Sequence, residues 1–156
     1  MVSRFLNAIT EALDAEFGDD YEIYTEDIRQ GLTPPCFLVE LISSDREKVS
    51  GSWYQYNTLF AIQYFPAGEN ERSEIHSVIS RLDDCLEALS VTWKDGQESP
   101  KTDPKVKRTR TEADETAITG GVLTYPIRIN DVFYRLDDGD PMESADITVM
   151  EVQKNG

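Results

Sequence analysis

The chain has 156 residues, 39% of them apolar and 29% charged, a length and balance that suit one domain built around one core. Thirty acids against fifteen bases leave a formal charge of −15, which speaks against a phosphate-binding nucleic-acid protein. No apolar run approaches the ~18 residues of a membrane span, and the first residues, MVSRFLNAITEALDAEFG, lack the uninterrupted apolar centre of a secretory signal, so a cytosolic setting is expected.

In chain order, Ser3–Phe17 places Phe5, Leu6, Ile9, Ala12, Leu13 and Phe17 at helical spacing, with Ser3 as the expected N-cap and Gly18 where a helix ends on a left-handed residue. Tyr21–Thr25 reads as a short strand. Gly31 and Pro34-Pro35 make Glu26–Phe37 a turn and an extended approach, and Phe37–Ile42 alternates as a second strand. Ser43–Ser52 (SSDREKVSGS) is expected to be a polar connection, the exposed tip of a hairpin.

The strongest signal is Tyr54–Pro66, YQYNTLFAIQYFP. Tyr54, Tyr56, Phe60, Ile62 and Tyr64 share one parity, and a pleated strand sends alternate residues to opposite faces. One face is therefore almost wholly aromatic or branched, as expected of the strand at the centre of a sheet. Pro66 ends it. After a loop at Ala67–Asn70, Glu71–Leu89 reads as a second amphipathic helix with Ile75, Val78, Ile79, Leu82, Leu86 and Leu89 on one side. Val91–Trp93 is a short strand and Lys94–Pro104 a loop. Lys105–Ile118 alternates weakly, Thr119-Gly120-Gly121 turns, and Val122–Tyr134 forms a last strand in which Pro126 marks an edge or a bulge. The last two strands form a C-terminal hairpin. Asp137–Asp146 holds five acids and no base and is expected to be mobile; Ile147, Val149 and Met150 are a small apolar island beyond it. The fold class is α+β: a mixed, mainly antiparallel sheet with two amphipathic helices on one face. Residues 1–136 form a single domain, and 137–156 an acidic tail.

Chemistry-bearing constellations are scarce. His76 is the single histidine. It lies beside the apolar stripe of the second helix, and Cys85 does not share its patch of helix surface, so it reads as a half-exposed helical residue rather than a base. Cys36 and Cys85 are far apart without ligand spacing and read as reduced core residues. Asp83 and Asp84 point about 100° apart on a helix. Asp137, Asp138 and Asp140 suggest calcium, but Thr148 stands where an EF-hand loop needs its closing Glu. No phosphate-cradling glycine motif is present. No enzyme activity, cofactor or metal is expected. Two features suit contact instead. Lys101–Arg110 carries five bases and one acid, either a solvated loop entering a strand or a patch for an acidic neighbour. Trp53, Tyr54 and Tyr56 cluster at one end of the central strand, as sheet surface or as interface aromatics.

The stretches EFGDDYEIYTEDIRQGLTPPCFLVEL, YNTLFAIQYFP and ERSEIHSVISRLDDCLEAL, and within them Ile23–Thr25, Gln30-Gly31, Pro35–Phe37 and Ile62–Pro66, resemble the tail terminator proteins of tailed bacteriophages and of prophages in Gram-positive bacteria. The resemblance runs from Phe5 to about Arg135. It implies a structural virion protein of the tail and neck, assembled in the host bacterial cytoplasm. Such a protein forms a ring, usually hexameric, at the head-proximal end of the tail tube, where it stops polymerisation and meets the head connector. Its partners are other copies of itself, the tube protein and the connector, with DNA passing unbound through an acidic lumen. Ring contacts are expected at Lys105, Lys107, Arg108, Arg110, Trp53, Tyr54, Ile147 and Val149, with Ile147–Val152 adding a strand to a neighbour. A neck or head-completion protein is the near alternative. A DNA-mimic inhibitor, resting on the net charge, and a small hydrolase using His76 are the alternatives from other classes.

Overall fold

The computed structural model describes residues 1–25, 31–68, 71–92 and 106–134. The element order is α1 (Val2–Phe17), β1 (Glu22–Thr25), β2 (Cys36–Ser50), β3 (Trp53–Phe65), α2 (Glu71–Cys85), β4 (Ala88–Thr92), β5 (Val106–Ala113), β6 (Ala117–Thr119) and β7 (Val122–Tyr134), with a single 3-10 turn at Gly18–Asp20. The strands make one sheet in the order β1-β2-β3-β7-β5-β4, and β6 pairs with β7 beside β5. Every pairing is antiparallel except β1 with β2. The α+β class and the mixed, mainly antiparallel sheet expected from the sequence are both present.

Strand β3 lies between β2 and β7 along its whole length. Its even-numbered residues Tyr54, Tyr56, Thr58, Phe60, Ile62 and Tyr64 are all buried, and of those opposite them on β7, Leu123, Tyr125, Ile127, Ile129 and Phe133 are buried and Asp131 is half-buried. Both helices cover this face. From α1, Phe5 stands edge-on to Tyr56 at 5.8 Å and against Phe133 at 5.2 Å, while Phe17 packs on Phe37 at 4.7 Å. From α2, Ile75, Val78 and Leu82 are buried. Two tyrosines of the sheet reach up to it: Tyr64 donates to Glu74, and Tyr125 to Asp83 at 2.6 Å. A phenol under a helix needs a polar partner, and these carboxylates supply it. Burial first, and then the adjoining carboxylate, push both phenols above their ordinary range. Glu74 also accepts from the backbone N–H of Ala67 and Gly68, at 3.1 and 3.2 Å, so the same carboxylate ties down the β3–α2 connection.

Several boundaries differ from expectation, each for a physical reason. Ser3 is not the N-cap. The helix starts at Val2, with the Phe5 N–H bonded to the Met1 carbonyl at 2.9 Å, because Met1 and Val2 pack against the core and draw the first turn in. Helix α2 ends at Cys85 rather than Leu89. The Leu86 and Glu87 carbonyls accept from the hydroxyl and N–H of Thr111 on β5, which satisfies the open helix end and turns the chain into β4. Leu89 and Val91 are then buried strand residues; Leu86 and Leu89 fit both periods, and the partner strand decides. The segment Ser43–Ser52 is strand through Ser50, not a connection. Backbone pairing with β3 carries β2 onward although its side chains beyond Leu41 are exposed, and only the Gly51-Ser52 turn joins the two. Gly51, like Gly120 and Gly121 in the β6–β7 turn, has positive φ, as two-residue hairpins require.

Pro126 lies inside the sheet, not at its edge. Its carbonyl accepts from the Asp114 N–H at 3.1 Å, where the neighbour of β7 changes from β5 to β6. The donor it lacks points into that gap, and the β3 ladder loses nothing. Trp93, the Lys94–Pro104 loop and everything from Arg135 onward, including the acidic tail and the apolar island, lie outside the described residues.

Phe5 joins α1 to two strands at once, so Phe5→Ala is expected to lower unfolding stability by about 3–5 kcal/mol, as read by urea denaturation; a loss below about 1 kcal/mol contradicts this account of the core.

Candidate assembly surface

The helices leave the second face of the sheet without helical cover among the described residues. It is built from the odd residues of β3 and the even residues of β7, bridged from strand to strand. Trp53 meets Tyr134 edge-on at 5.2 Å, Gln55 donates to Asn130, and Arg128 donates to Asn57 at 2.7 Å and lies 4.0 Å from Asp114. Such lateral pairs hold a sheet face that stands in water.

Toward the Gly51 turn, β2 and β3 run past the region covered by β1. The ladder shifts register between Leu41 and Ser43 and again between Lys48 and Ser50. The unpaired residues at these shifts, Ile42 and Val49, are exposed at 55% and 57%, and Trp53 across the turn at 46%. The first shift also exchanges faces, so that Ser44, Arg46 and Lys48 line up over Thr58, Tyr56 and Tyr54. Ser44 and Thr58 share a hydroxyl hydrogen bond of 3.1 Å, and Arg46 lies over the Tyr54 ring at 5.0 Å. The two expected aromatic contacts are therefore separated: Trp53 is open to solvent and Tyr54 is buried.

The basic segment divides in the same way. Lys105 lies outside the described residues. Lys107 turns inward: it lies 4.8 Å from the Phe133 ring centroid, donates to the Val132 carbonyl and pairs with Asp131 at 3.2 Å. Asp131 also accepts from the Thr109 hydroxyl and the Val132 N–H, both at 2.7 Å. This carboxylate sits where β5 leaves β7 to pair with β4 and bridges the opening. Burial by itself would raise its pKa; the Thr109, Val132 and Lys107 hydrogen bonds outweigh that and hold it below the ordinary range. Arg108 and Arg110 stay outward. Arg108 donates to Ser90 at 3.2 Å on β4, and Arg110 forms a 3.7 Å ion pair with Glu87 while remaining 84% exposed. Ile147 and Val149 lie outside the described residues.

The described residues bring no catalytic set together. His76 is exposed on α2. Burial raises the Cys36 thiol and pushes that of Cys85 up to about 11, so neither is a thiolate near neutrality. Among the described residues no group of three or more His, Cys, Asp or Glu is placed to hold a metal, and no helix is long and apolar enough to cross a membrane. Asp137, Asp138 and Asp140 lie outside them. An open groove of 350 Å³ runs between α1 and β4, with Ala8, Ala12, Cys85 and Ala88 along it and Arg108 at its side, and the raised Cys85 thiol is not a ready nucleophile there.

A family model described as phage tail terminator protein matches residues 4–143. The chain belongs to the phage tail terminator family. Comparison with curated proteins returned no match. The protein is thus a structural component of the phage virion tail, and its surfaces bear on association with other virion proteins. In this tail terminator the sequence reading missed Ile42 and Val49 as exposed apolar positions and Asp131 as the residue that bridges two strands. The available signals were an isolated Val in SSDREKVSGS and a lone acid inside the apolar strand VLTYPIRINDVFY.

Because the folded pKa of Asp131 is depressed, its contribution to stability is present above the unfolded value of about 3.9 and fades as pH falls through the lower folded value. Asp131→Asn is expected to cost about 1–3 kcal/mol at pH 7, and the gap from the parent should close in acid. Urea unfolding across pH measures it; a pH-independent gap contradicts the assignment.

Proposed function

We propose that this tail terminator closes into a homo-oligomeric ring, a hexamer as the family resemblance implies, at the head-proximal end of the tail tube. There it stops tube polymerisation and offers a surface to the head connector. The observation that carries the reading, beside family membership, is the one-sided roofing of the sheet. α1 and α2 make one face a rigid core, while the β2–β3 arm holds Ile42, Val49 and Trp53 in solvent. Exposed apolar side chains held on a rigid ribbon suit contact with another protein. The net charge of −15 suits a ring through which DNA passes without being held, since acidic walls repel phosphate. Ring closure needs one patch to meet a different patch on the next copy. The proposed contacts are Lys105, Arg108 and Arg110, with Lys107 supporting them from its network, Trp53 with Tyr54 beneath the arm, and Ile147 and Val149 as a strand added to a neighbour. The acidic tail, residues 137–156, is proposed as a segment apart from the domain.

Light scattering on a size-exclusion column is expected to give a mass several-fold above the 17.7 kDa chain, alone or after addition of tail tubes, and negative-stain images should show a ring capping one tube end. A protein that stays monomeric and leaves both tube ends bare overturns the reading, and binding to the connector without tubes favours a neck protein instead. Truncation after Leu136 is expected to weaken the oligomer; an intact oligomer removes Ile147 and Val149 from the interface.

A further inference from the structure

The two borders of the sheet carry opposite charge. At the first border, β1 and β2 together hold four acids, Glu22, Glu40, Asp45 and Glu47, against two bases, Arg46 and Lys48. At the last border, β4 and β5 turn two bases outward, Arg108 and Arg110, against the acid Glu112, while Lys107 faces inward onto Asp131. The chain as a whole has twice as many acids as bases, so a basic border is a local reversal. Both borders also have open backbone. β1 pairs with β2 only at Cys36–Val39, and among the described residues no strand lies beside Ile42–Ser50 on that side. β4 ends the sheet order at the other side, with β5 as its one strand neighbour among the described residues. A row of unpaired N–H and C=O groups is a template for another strand.

From this geometry we infer that the β2 border of one copy, Ile42–Ser50, lies against the β4 border, Ala88–Thr92, of the next. The contact rests on the ring reading above and names the surfaces that would meet. Charge selects this pairing over the symmetric one. If two β2 borders paired antiparallel with their helix layers on the same side, residues of like parity would face each other. A register centred on Arg46 sets it against its own copy and Asp45 against Glu47; one centred on Glu47 sets Arg46 against Lys48. Like charges directly opposite destabilise a strand pair. The β4 border has no acid or base in its strand, and Arg108 reaches over it to Ser90, which places a guanidinium where Asp45 and Glu47 of the incoming strand would arrive. Arg110 is free to follow, because an exposed ion pair such as its contact with Glu87 contributes little. Border against opposite border is a heterologous contact, the kind that closes rings.

Three variants test it: Arg108→Glu with Arg110→Glu, Asp45→Lys with Glu47→Lys, and all four changes in one chain. Circular dichroism and thermal melting establish that each folds. Each two-site variant is expected to shift from ring to monomer mass in light scattering, with assembly weakened at least about tenfold, and the four-site variant is expected to recover the ring because both borders are then reversed together. Rings in both two-site variants overturn the inference and leave the ring reading standing. Loss without recovery in the folded four-site variant also overturns it, since the two borders then do not meet each other. A parent chain that forms no ring, alone or on tail tubes, refutes the ring reading and this contact with it.

Discussion

The structure depends on the burial of one aromatic strand face. Tyr56 and Phe133 stand side by side on β3 and β7, and Phe5 of α1 rests on both. At the other end of the same helix Phe17 rests on Phe37 and Tyr21, and Arg81 of α2 lies 4.2 Å over Phe17 while bonding to Glu16 at 2.9 Å. One helix thus spans the sheet with an aromatic foot at each end, and the second helix is clamped to it. A helix of this length is marginal in water; its apolar stripe becomes stable only when the sheet receives it. The sheet in turn needs a roof, because a face of Tyr, Phe and Ile exposed to water would be an aggregation surface.

Polar atoms decide how the roof is seated. Tyr64 and Tyr125 carry hydroxyl groups into a region that would otherwise be dry, and α2 meets them with Glu74 and Asp83. These contacts set which side of α2 faces down and how far along the strands it sits. Thr111 does the same just beyond α2, where its hydroxyl and N–H donate to the Leu86 and Glu87 carbonyls. Asp131 holds the point where β5 parts from β7. Each is a buried or half-buried group that would cost free energy if left unpaired, and each pairs elements distant in sequence.

For a tail terminator the consequence is a division of labour across the sheet. One face is committed to the core. The other face and the β2–β3 arm carry no helix among the described residues. The side chains the sequence grouped into one basic patch do not act as one: alternation sends Lys107 into the Asp131 network and leaves Arg108 and Arg110 at the border. Opposite charge at opposite borders makes the two edges of the sheet chemically unlike.

Much of the fold was legible from local pattern. The parity of YQYNTLFAIQYFP marks a central strand, the stripes of α1 and α2 mark two roofing helices, and Thr119-Gly120-Gly121 marks the turn into the last strand, because period and backbone permissiveness are local properties. The family, too, was legible from turn and core residues taken in combination. Tertiary contact alone decided the rest. SSDREKVS is strand because β3 supplies a ladder that polar side chains do not forbid, and the chain leaves α2 after Cys85 because Thr111 donates to the Leu86 and Glu87 carbonyls that follow. Pro126 is tolerated inside the sheet because its missing donor falls in a gap between two other strands. Which of Trp53 and Tyr54, or of Lys107 and Arg108, faces solvent depends on which neighbour lies on each side of the strand, and that is settled only when segments far apart in the chain come together.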